Sequence, residues 1–245
     1  MKSPAESFYR TEFSVLLAAD SFKGSASSEA IEKYLEAGVL RVLPHARTKK
    51  VLIADGGEGT VDAFVSGCGG EIKSVQAEDP FGHPIVARLG VLPNGCAVVE
   101  TAEAAGIRFS SCTDEDARRA STYGVGQLLR AALDLGVRRI YVGLGGSATS
   151  DGGCGMAEAL GALFLDTSGK PTVRGLQGLS YIAHVDMSHF DKRVYDTEII
   201  ALSDVNNPLS GKHGAIYTFG PQKGLLFSHL REYDDWMRHY AHAVL

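Results

Sequence analysis

The first part of the chain alternates short apolar runs with a stretch of helical periodicity. Residues 13–19 form an apolar run that predicts a buried strand ending at Asp20. Residues 51–54 predict a second strand, which ends at Asp55. Between them, four apolar residues recur at helical spacing: Ile31, Tyr34, Leu35 and Val39. This order of elements predicts a parallel sheet with ligands at the carboxyl ends of its strands, where both aspartates fall.

The pattern changes near residue 79 and predicts a second unit. Two apolar runs, 85–92 and 96–100, flank an Asn-Gly pair, which is typical of a hairpin turn. Residues 123–135 predict a helix and 139–144 a further strand, and residues 199–202 predict another. We therefore place a domain boundary between residues 77 and 78, and predict an α/β fold in which 78–245 form a second domain with a mixed sheet.

The N-terminal unit looks incomplete from the pattern alone. It contains two clear strands, and two parallel strands do not form a stable sheet by themselves. The chain ends in a predicted helix with an apolar stripe: Phe227, Leu230, Tyr233, Met237, Tyr240 and Val244. An incomplete sheet together with such a stripe favours a fragment or subunit that awaits a complementing chain.

A glycine-rich stretch, 143–155, is the strongest local indication of a ligand site. Six of its 13 residues are glycine, an apolar strand precedes it, and an apolar run over 156–165 predicts a helix after it. Glycines let a backbone approach a phosphate, and the free N–H groups of a first helical turn point at the anion. An acid beside a phosphate is repelled unless a metal or a proton intervenes, so Asp151 indicates a metal–nucleotide site. The alternative is a turn that needs its glycines only for tight packing.

Other loops carry candidate chemistry, each with a plainer alternative. Lys23 follows Asp20 and could neutralise phosphoryl or carboxylate charge, or be an exposed loop lysine. Asp55 and Glu58 suit a metal or a hydroxyl-bearing substrate, or simply cap a helix. The turn that contains Asp204 could bind substrate or only form the turn.

Composition excludes several other functions. The net charge of −5 gives no electrostatic case for nucleic acid. The four cysteines form no C-x-x-C pair, and no apolar run reaches about 18 residues, so we predict no zinc motif and no membrane span. No signal core follows the first residues, so we expect a cytoplasmic protein. The loops match neither a Walker A motif nor a protein-kinase signature, and a dehydrogenase would require NAD(H) binding.

Six segments in one order resemble the bacterial type I glycerate kinases. They are D-S-F-K-G (20–24), D-G-G-E-G-T (55–60), E-T-A-E-A-A-G (100–106), S-T-Y-G-V-G-Q-L (121–128), G-G-S-A-T-S-D-G-G (145–153), and D-V-N-N-P-L (204–209) with F-G-P-Q-K-G (219–224). The resemblance implies ATP- and Mg²⁺-dependent phosphorylation of D-glycerate, usually at the 2-hydroxyl. It also implies a Rossmann-like domain, begun by residues 1–77, interrupted by a second α/β domain and completed by a C-terminal segment.

The resemblance and the loop chemistry together predict the site residues. Catalytic roles are expected for Asp20, Lys23 and Asp55, and substrate binding for Ser21, Gly56, Gly57, Glu58, Asp204 and Asn206. Nucleotide binding is expected at Gly145, Gly146, Ser147, Ala148, Thr149, Gly152 and Gly153, and Mg²⁺ at Asp151 or Asp204. Asp20 and Asp55 stay open as alternatives for the base.

Two departures from the family pattern qualify these expectations. Ser150 stands where the family usually has Asn. Family members also continue well over a hundred residues further, through a glycine/alanine-rich loop and a G-E-G-x-x-D segment. The alternative is therefore a silent fragment or a subunit that needs a complementing C-terminal chain, and a homodimer also stays open.

Overall fold

The computed structural model of the chain describes residues 13–22 and 25–244. The strands are β1 (Ser14–Leu17), β2 (Arg47–Lys50), β3 (Glu71–Glu78), β4 (Pro84–Val91), β5 (Cys96–Glu100), β6 (Arg139–Gly143), β7 (Leu163–Leu165), β8 (His184–Asp186) and β9 (Glu198–Leu202). The α-helices are α1 (Ser28–Val42), α2 (Thr60–Cys68), α3 (Thr101–Ala105), α4 (Asp114–Arg119), α5 (Tyr123–Asp134), α6 (Cys154–Ala159), α7 (Ala215–Lys223) and α8 (Leu230–Val244).

A five-stranded mixed sheet carries most of the fold, in the order β3-β4-β5-β6-β9. The pairs β3–β4 and β4–β5 are antiparallel, which confirms the predicted hairpin around the Asn-Gly turn. The pairs β5–β6 and β6–β9 are parallel, so Glu100, Gly143 and Leu202 stand side by side at the carboxyl ends of three neighbouring strands. The α/β class with a mixed sheet is confirmed, and this edge is where parallel strands place ligands.

The two faces of this sheet are covered by different helices. Because side chains alternate along a strand, Ala97 and Val99 of β5 pack towards α5, whereas Val98 packs towards α2. From α5, Leu128 and Leu129 enter the larger core. The predicted helix over 123–135 and the predicted strands at 139–144 and 199–202 are confirmed by α5, β6 and β9.

The terminal helix α8 buries its apolar stripe within the chain. Tyr233 and Met237 are 3% and 1% exposed and pack in a cluster with Leu176 and Leu179. The interpretation of this stripe as a surface awaiting another chain was therefore wrong, because the segment around Leu176 already covers it. Two predicted members lie outside the buried stripe: Phe227 precedes the helix and is exposed, and Val244 is half exposed.

The N-terminal strands form a separate parallel pair, with β1 residues 14–17 opposite β2 residues 47–50. The prediction of a strand at 51–54 was wrong, because the polar residues before it take the register with β1 and only the N–H of Val51 still reaches Leu17. The first strand is only partly buried, since Leu17 is 5% exposed whereas Leu16 is 63% exposed. On α1, Tyr34 and Leu35, two of the four apolar residues at helical spacing, are also exposed.

The predicted helix over 156–165 is shorter and begins earlier. Helix α6 ends at Ala159, and Gly161 follows with φ +103°. That left-handed residue stops the helix, as glycine commonly does at a C terminus, and the chain then enters β7. The proposed domain boundary between residues 77 and 78 falls inside β3. No helix among the described residues is long and apolar enough to cross a membrane.

Candidate functional site

Three loops meet at the carboxyl ends of the parallel strands. The N–H of Gly145 donates to the carbonyl of Gly56 over 3.0 Å, and the N–H of Leu144 donates to the carbonyl of Leu202 over 3.2 Å. A Cβ at Gly145 would lie 2.8 Å from the Cα of Gly57, too close for any side chain. The glycine-rich stretch and the turn after Asp55 therefore pack backbone against backbone, and Gly145 is required for that contact.

Glu100, at the end of β5, attaches the turn after Asp55 to the five-stranded sheet. It is 1% exposed, and its carboxylate accepts hydrogen bonds from the N–H groups of Gly59 at 2.8 Å and Val61 at 3.4 Å. Glu100 thus occupies the N terminus of α2, where helices favour negative charge. Burial raises the pKa of Glu100 to about 7, and the charge of Glu103 adds to the shift while these hydrogen bonds oppose it.

The second half of the glycine-rich stretch is closed on itself by Asp151. Its carboxylate accepts from the N–H groups of Gly153 and Gly155, and its carbonyl accepts from Cys154. The N–H of Met156 donates to the hydroxyl of Thr122. All N–H groups at the start of α6 are therefore satisfied inside the protein. The expectation that this helix N terminus would offer free donors to a phosphate was wrong.

The same contacts bear on the predicted magnesium ligand. Asp151 is 1% exposed, and its Oδ2 also accepts from the backbone and the hydroxyl of Thr122, at 2.8 and 2.9 Å. An acid whose two carboxylate oxygens both accept hydrogen bonds from the protein needs no metal ion to explain it. Among the described residues, no group of three or more His, Cys, Asp or Glu side chains is placed to hold a metal. Asp151 does not fit a Mg²⁺ site, and Asp204 stays a prediction.

The first half of the glycine-rich stretch, residues 143–149, is not closed in this way, and we call it the open half. Gly146 is exposed with φ +69°, and its carbonyl accepts from the N–H of Ile107 over 2.8 Å. The N–H of Ala148 donates to the carbonyl of Ala105, which anchors the far side. Within the described part of the chain, the N–H groups of Gly146 and Ser147 donate to no protein atom. These two groups are available to an anion, as the sequence predicts for the stretch as a whole.

Lys223 lies beneath this open half and was missed by sequence reasoning. Its side chain is 9% exposed, and Nζ donates to the hydroxyl of Ser147 over 3.0 Å and to the carbonyl of Thr149. Burial lowers the pKa of Lys223 to about 8, against the opposing charge of Asp151. In the sequence, Lys223 is marked only by its place in the motif F-G-P-Q-K-G (219–224). A lysine in such a motif is equally typical of an ordinary loop, so the sequence assigned it no role.

A cavity of about 650 Å³ opens beside the turn after Asp55; residues 21–22, residues 25–28 and the start of α2 line it. Two of the predicted substrate residues line it, Ser21 and Glu58. Arg88 and Arg108 also line it, and both were missed because isolated arginines carry no motif signal. Arg88 is fully engaged, since it pairs with Glu103 of α3 and Asp62 of α2.

The remaining predicted residues are placed less tightly. The carboxylate of Asp20 accepts from the N–H of Ser21, and that of Asp55 accepts from the N–H of Gly57 over 2.9 Å. Asp204 and Asn206 are exposed in the turn after β9. Lys23 lies outside the described residues. The structure thus joins the turn after Asp55 to the glycine-rich stretch. Among the described residues, no hydrogen bond or ion pair joins Asp20 or Asp204 to these two loops.

An α/β sheet whose parallel strands end in packed glycine-rich loops beside a cavity is typical of a small-ligand-binding protein of this fold class. A family model described as the glycerate kinase family matches residues 15–245. The chain belongs to the glycerate kinase family.

Individual relatives agree with this assignment. The chain is 40% identical over 231 residues to a glycerate kinase from Halalkalibacterium halodurans, and 36% identical over 231 residues to the glycerate 2-kinase from Escherichia coli K12. Each match covers 94% of this chain and 61% of the relative. A crystal structure of a protein assigned as glycerate kinase 2 from Salmonella typhimurium LT2 aligns with TM-score 0.82 and 38% identity, over 96% of this chain and 63% of that one. The chain thus spans about three-fifths of the length of the proteins it matches.

Proposed function

We propose that the protein phosphorylates D-glycerate, with ATP as the phosphoryl donor and 2-phosphoglycerate as the product. Family membership supports the substrate, and the name of the Escherichia coli relative supports the 2-position. The observation that carries the proposal is the open half of the glycine-rich stretch. There, the N–H groups of Gly146 and Ser147 donate to no protein atom within the described residues, and the buried ammonium of Lys223 contacts the Ser147 hydroxyl. A Cβ at Gly146 would lie 3.8 Å from Cγ of Glu58, which lines a cavity large enough for a small acid.

Phosphoryl transfer depends on positioning and on stabilising charge. In the proposal, the polyphosphate of ATP lies against Gly145–Thr149, and glycerate enters the neighbouring cavity beside Ser21 and Glu58. The 2-hydroxyl oxygen attacks the γ-phosphorus while the bond from that phosphorus to ADP breaks. Asp55 or Asp20 orients the hydroxyl and accepts its proton, and Lys23 balances the charge of the phosphoryl group or the glycerate carboxylate.

Magnesium has no residue cluster in the described chain that fits it, so no step here depends on a protein-bound metal. Asp151 is better assigned to holding the loop than to binding Mg²⁺, because its oxygens already accept four hydrogen bonds. Asp204 and Asn206, exposed beyond β9, remain the proposed groups for the outer side of the substrate site.

A coupled assay of ADP release, with ³¹P NMR of the product, tests the proposal. The chain is expected to release ADP only when both ATP and D-glycerate are present, and to give 2-phosphoglycerate. Asp55→Asn and Asp20→Asn separate the two candidate bases, since the base variant should lose kcat and retain its KM for ATP. Formation of 3-phosphoglycerate would refute the regiochemistry alone.

The second candidate is a subunit that needs a complementing C-terminal segment. One observation favours it: the exposed apolar side chains of the N-terminal strands and helix. ADP release that appears only after the C-terminal part of a relative is added would support this candidate. No release of ADP in either form would refute both.

A further inference from the structure

Lys223 is a buried cation to which the reaction steps outlined above assign no role. Among the described residues it forms no ion pair with a carboxylate, and its ammonium contacts only the Ser147 hydroxyl and the Thr149 carbonyl. Burying a charge without an ionic partner is costly, so such a group needs a physical reason to be there. An anionic ligand bound next to Lys223 would stabilise the buried ammonium and so explain its presence.

The contact with Lys223 also determines what Ser147 can do. An ammonium has donors and no acceptor, so the Ser147 oxygen must accept from it. The hydroxyl proton is then directed away from Lys223, and within the described residues it donates to no other group. It joins the unpaired N–H groups of Gly146 and Ser147 at the open half of the stretch.

We propose that Lys223 is a positioning residue that makes Ser147 a hydrogen-bond donor to a phosphoryl group of a nucleoside polyphosphate. The inference rests on the nucleotide binding proposed above and adds a residue to it. The buried ammonium holds the loop segment through the Thr149 carbonyl and orients the Ser147 hydroxyl outwards. It acts through Ser147 and does not itself touch the nucleotide.

A purely structural role for Lys223 predicts something different. If Lys223 only holds the loop in place, then removing it disturbs the binding of every part of the nucleotide, or lowers stability with no selective effect. If it acts through Ser147 on a phosphoryl group, the effect is confined to ligands that carry phosphates.

The test compares ATP with adenosine, each with Mg²⁺, by isothermal titration and ligand-observed NMR. Four proteins are measured: wild type, Lys223→Met, Ser147→Ala and the double variant. Each single variant is expected to weaken ATP binding about tenfold, the loss of one charge-assisted hydrogen bond, and to leave adenosine binding unchanged. The double variant should be no weaker than either single variant, because both remove the same contact. Ser147→Thr, which keeps the hydroxyl, should restore binding.

Melting temperatures of the variants show whether each is folded. If Lys223→Met does not fold, Lys223→Gln, which removes the charge and keeps a polar side chain, takes its place in the same comparison, and Ser147→Ala against Ser147→Thr tests the donor role of Ser147. Equal losses for ATP and adenosine, additive losses in the double variant, or an unchanged ATP affinity would each overturn the inference. A wild-type chain that binds no ATP would remove the proposed nucleotide site as well, whereas wild-type binding with unaffected variants removes the role of Lys223 alone.

Discussion

The N-terminal region, formed by β1, β2 and α1, and the region around the five-stranded sheet differ in how far their apolar side chains are buried. In the five-stranded region Leu128 and Ile140 are fully buried, whereas Leu16 and Tyr34 of the N-terminal region are 63% and 76% exposed. Clusters of exposed apolar side chains on a globular protein usually mark surfaces that another element covers. Among the described residues of the N-terminal region, Leu17 and Ile31 are buried, but several other large apolar side chains lie on the surface.

Buried polar groups show the same contrast. Asp151 and Glu100, at the site, accept hydrogen bonds on both carboxylate oxygens. Glu32 of α1 is 1% exposed, and its Oε1 has no hydrogen-bond partner in the described part of the chain. Buried polar groups are almost always partnered in folded proteins. The buried carboxylates of the five-stranded region are therefore satisfied by its own residues, whereas the N-terminal region leaves one buried carboxylate oxygen without a partner among the described residues.

Truncating one leucine in each region should give the largest difference. Leu128→Ala removes a fully buried side chain from the core between α5 and the sheet and is expected to cost about 3 kcal/mol of unfolding free energy. Leu16→Ala, at a 63% exposed position, should change stability by less than about 0.5 kcal/mol. Urea denaturation measures both. Equal costs would mean that Leu16 is covered and that the contrast is wrong.

Two glycine-to-alanine substitutions, one in each region, should change the free energy of unfolding in opposite directions. Gly145→Ala forces a Cβ to within 2.8 Å of the Gly57 Cα and 2.9 Å of its nitrogen, so it should destabilise the protein by about 2 kcal/mol. Gly38 lies inside α1, where a Cβ would meet no atom within 4 Å, so Gly38→Ala should stabilise by about 0.5 kcal/mol. Thermal melts of the two variants provide the measurement. A neutral Gly145→Ala would show that the loops do not pack as described.

A smaller effect should appear in the pH dependence of stability. Burial raises the pKa of Glu100 from 4.5 to about 7, so between these values the folded protein holds a proton that the unfolded chain has released. Stability should therefore fall as the pH rises from 4.5 to 7, and Glu100→Gln should remove that part of the slope. Glu29→Gln, on the exposed surface of α1, serves as the matched control and should leave the fall in place. Denaturation midpoints across this range that do not differ between wild type and Glu100→Gln would contradict the assignment.

The local pattern of apolar and polar residues correctly predicted elements that pack against parts of the chain close to them in sequence. The hairpin of β4 and β5 follows from its Asn-Gly turn, and α5 from a periodicity that the core then uses. The strand at 51–54 was misplaced because pairing with β1, rather than apolar content, decides which residues form β2. The tertiary partner overrode the local preference, as it commonly does in strands.

The sequence predicted which segments form the candidate site, but it did not predict the side-chain contacts that join them. The glycine-rich stretch and the turn after Asp55 could be named from spacing, and the structure does bring them together. The role of Asp151 could not, because its partner Thr122 lies 29 positions earlier in the chain. Lys223 is 76 positions beyond Ser147, and no periodicity connects them. Such pairings are set by the fold, so local sequence carries no signal for them.

Hydrogen exchange measured by mass spectrometry, with and without ATP and Mg²⁺, tests both the contrast and the proposed site in one experiment. Without nucleotide, peptides from β4 to β6 should exchange slowly, and those from β1, α1 and β2 quickly. ATP should slow exchange in peptides that cover residues 143–151 and leave those of α1 unchanged. Protection by ATP confined to the N-terminal region, or none at residues 143–151, would contradict the account.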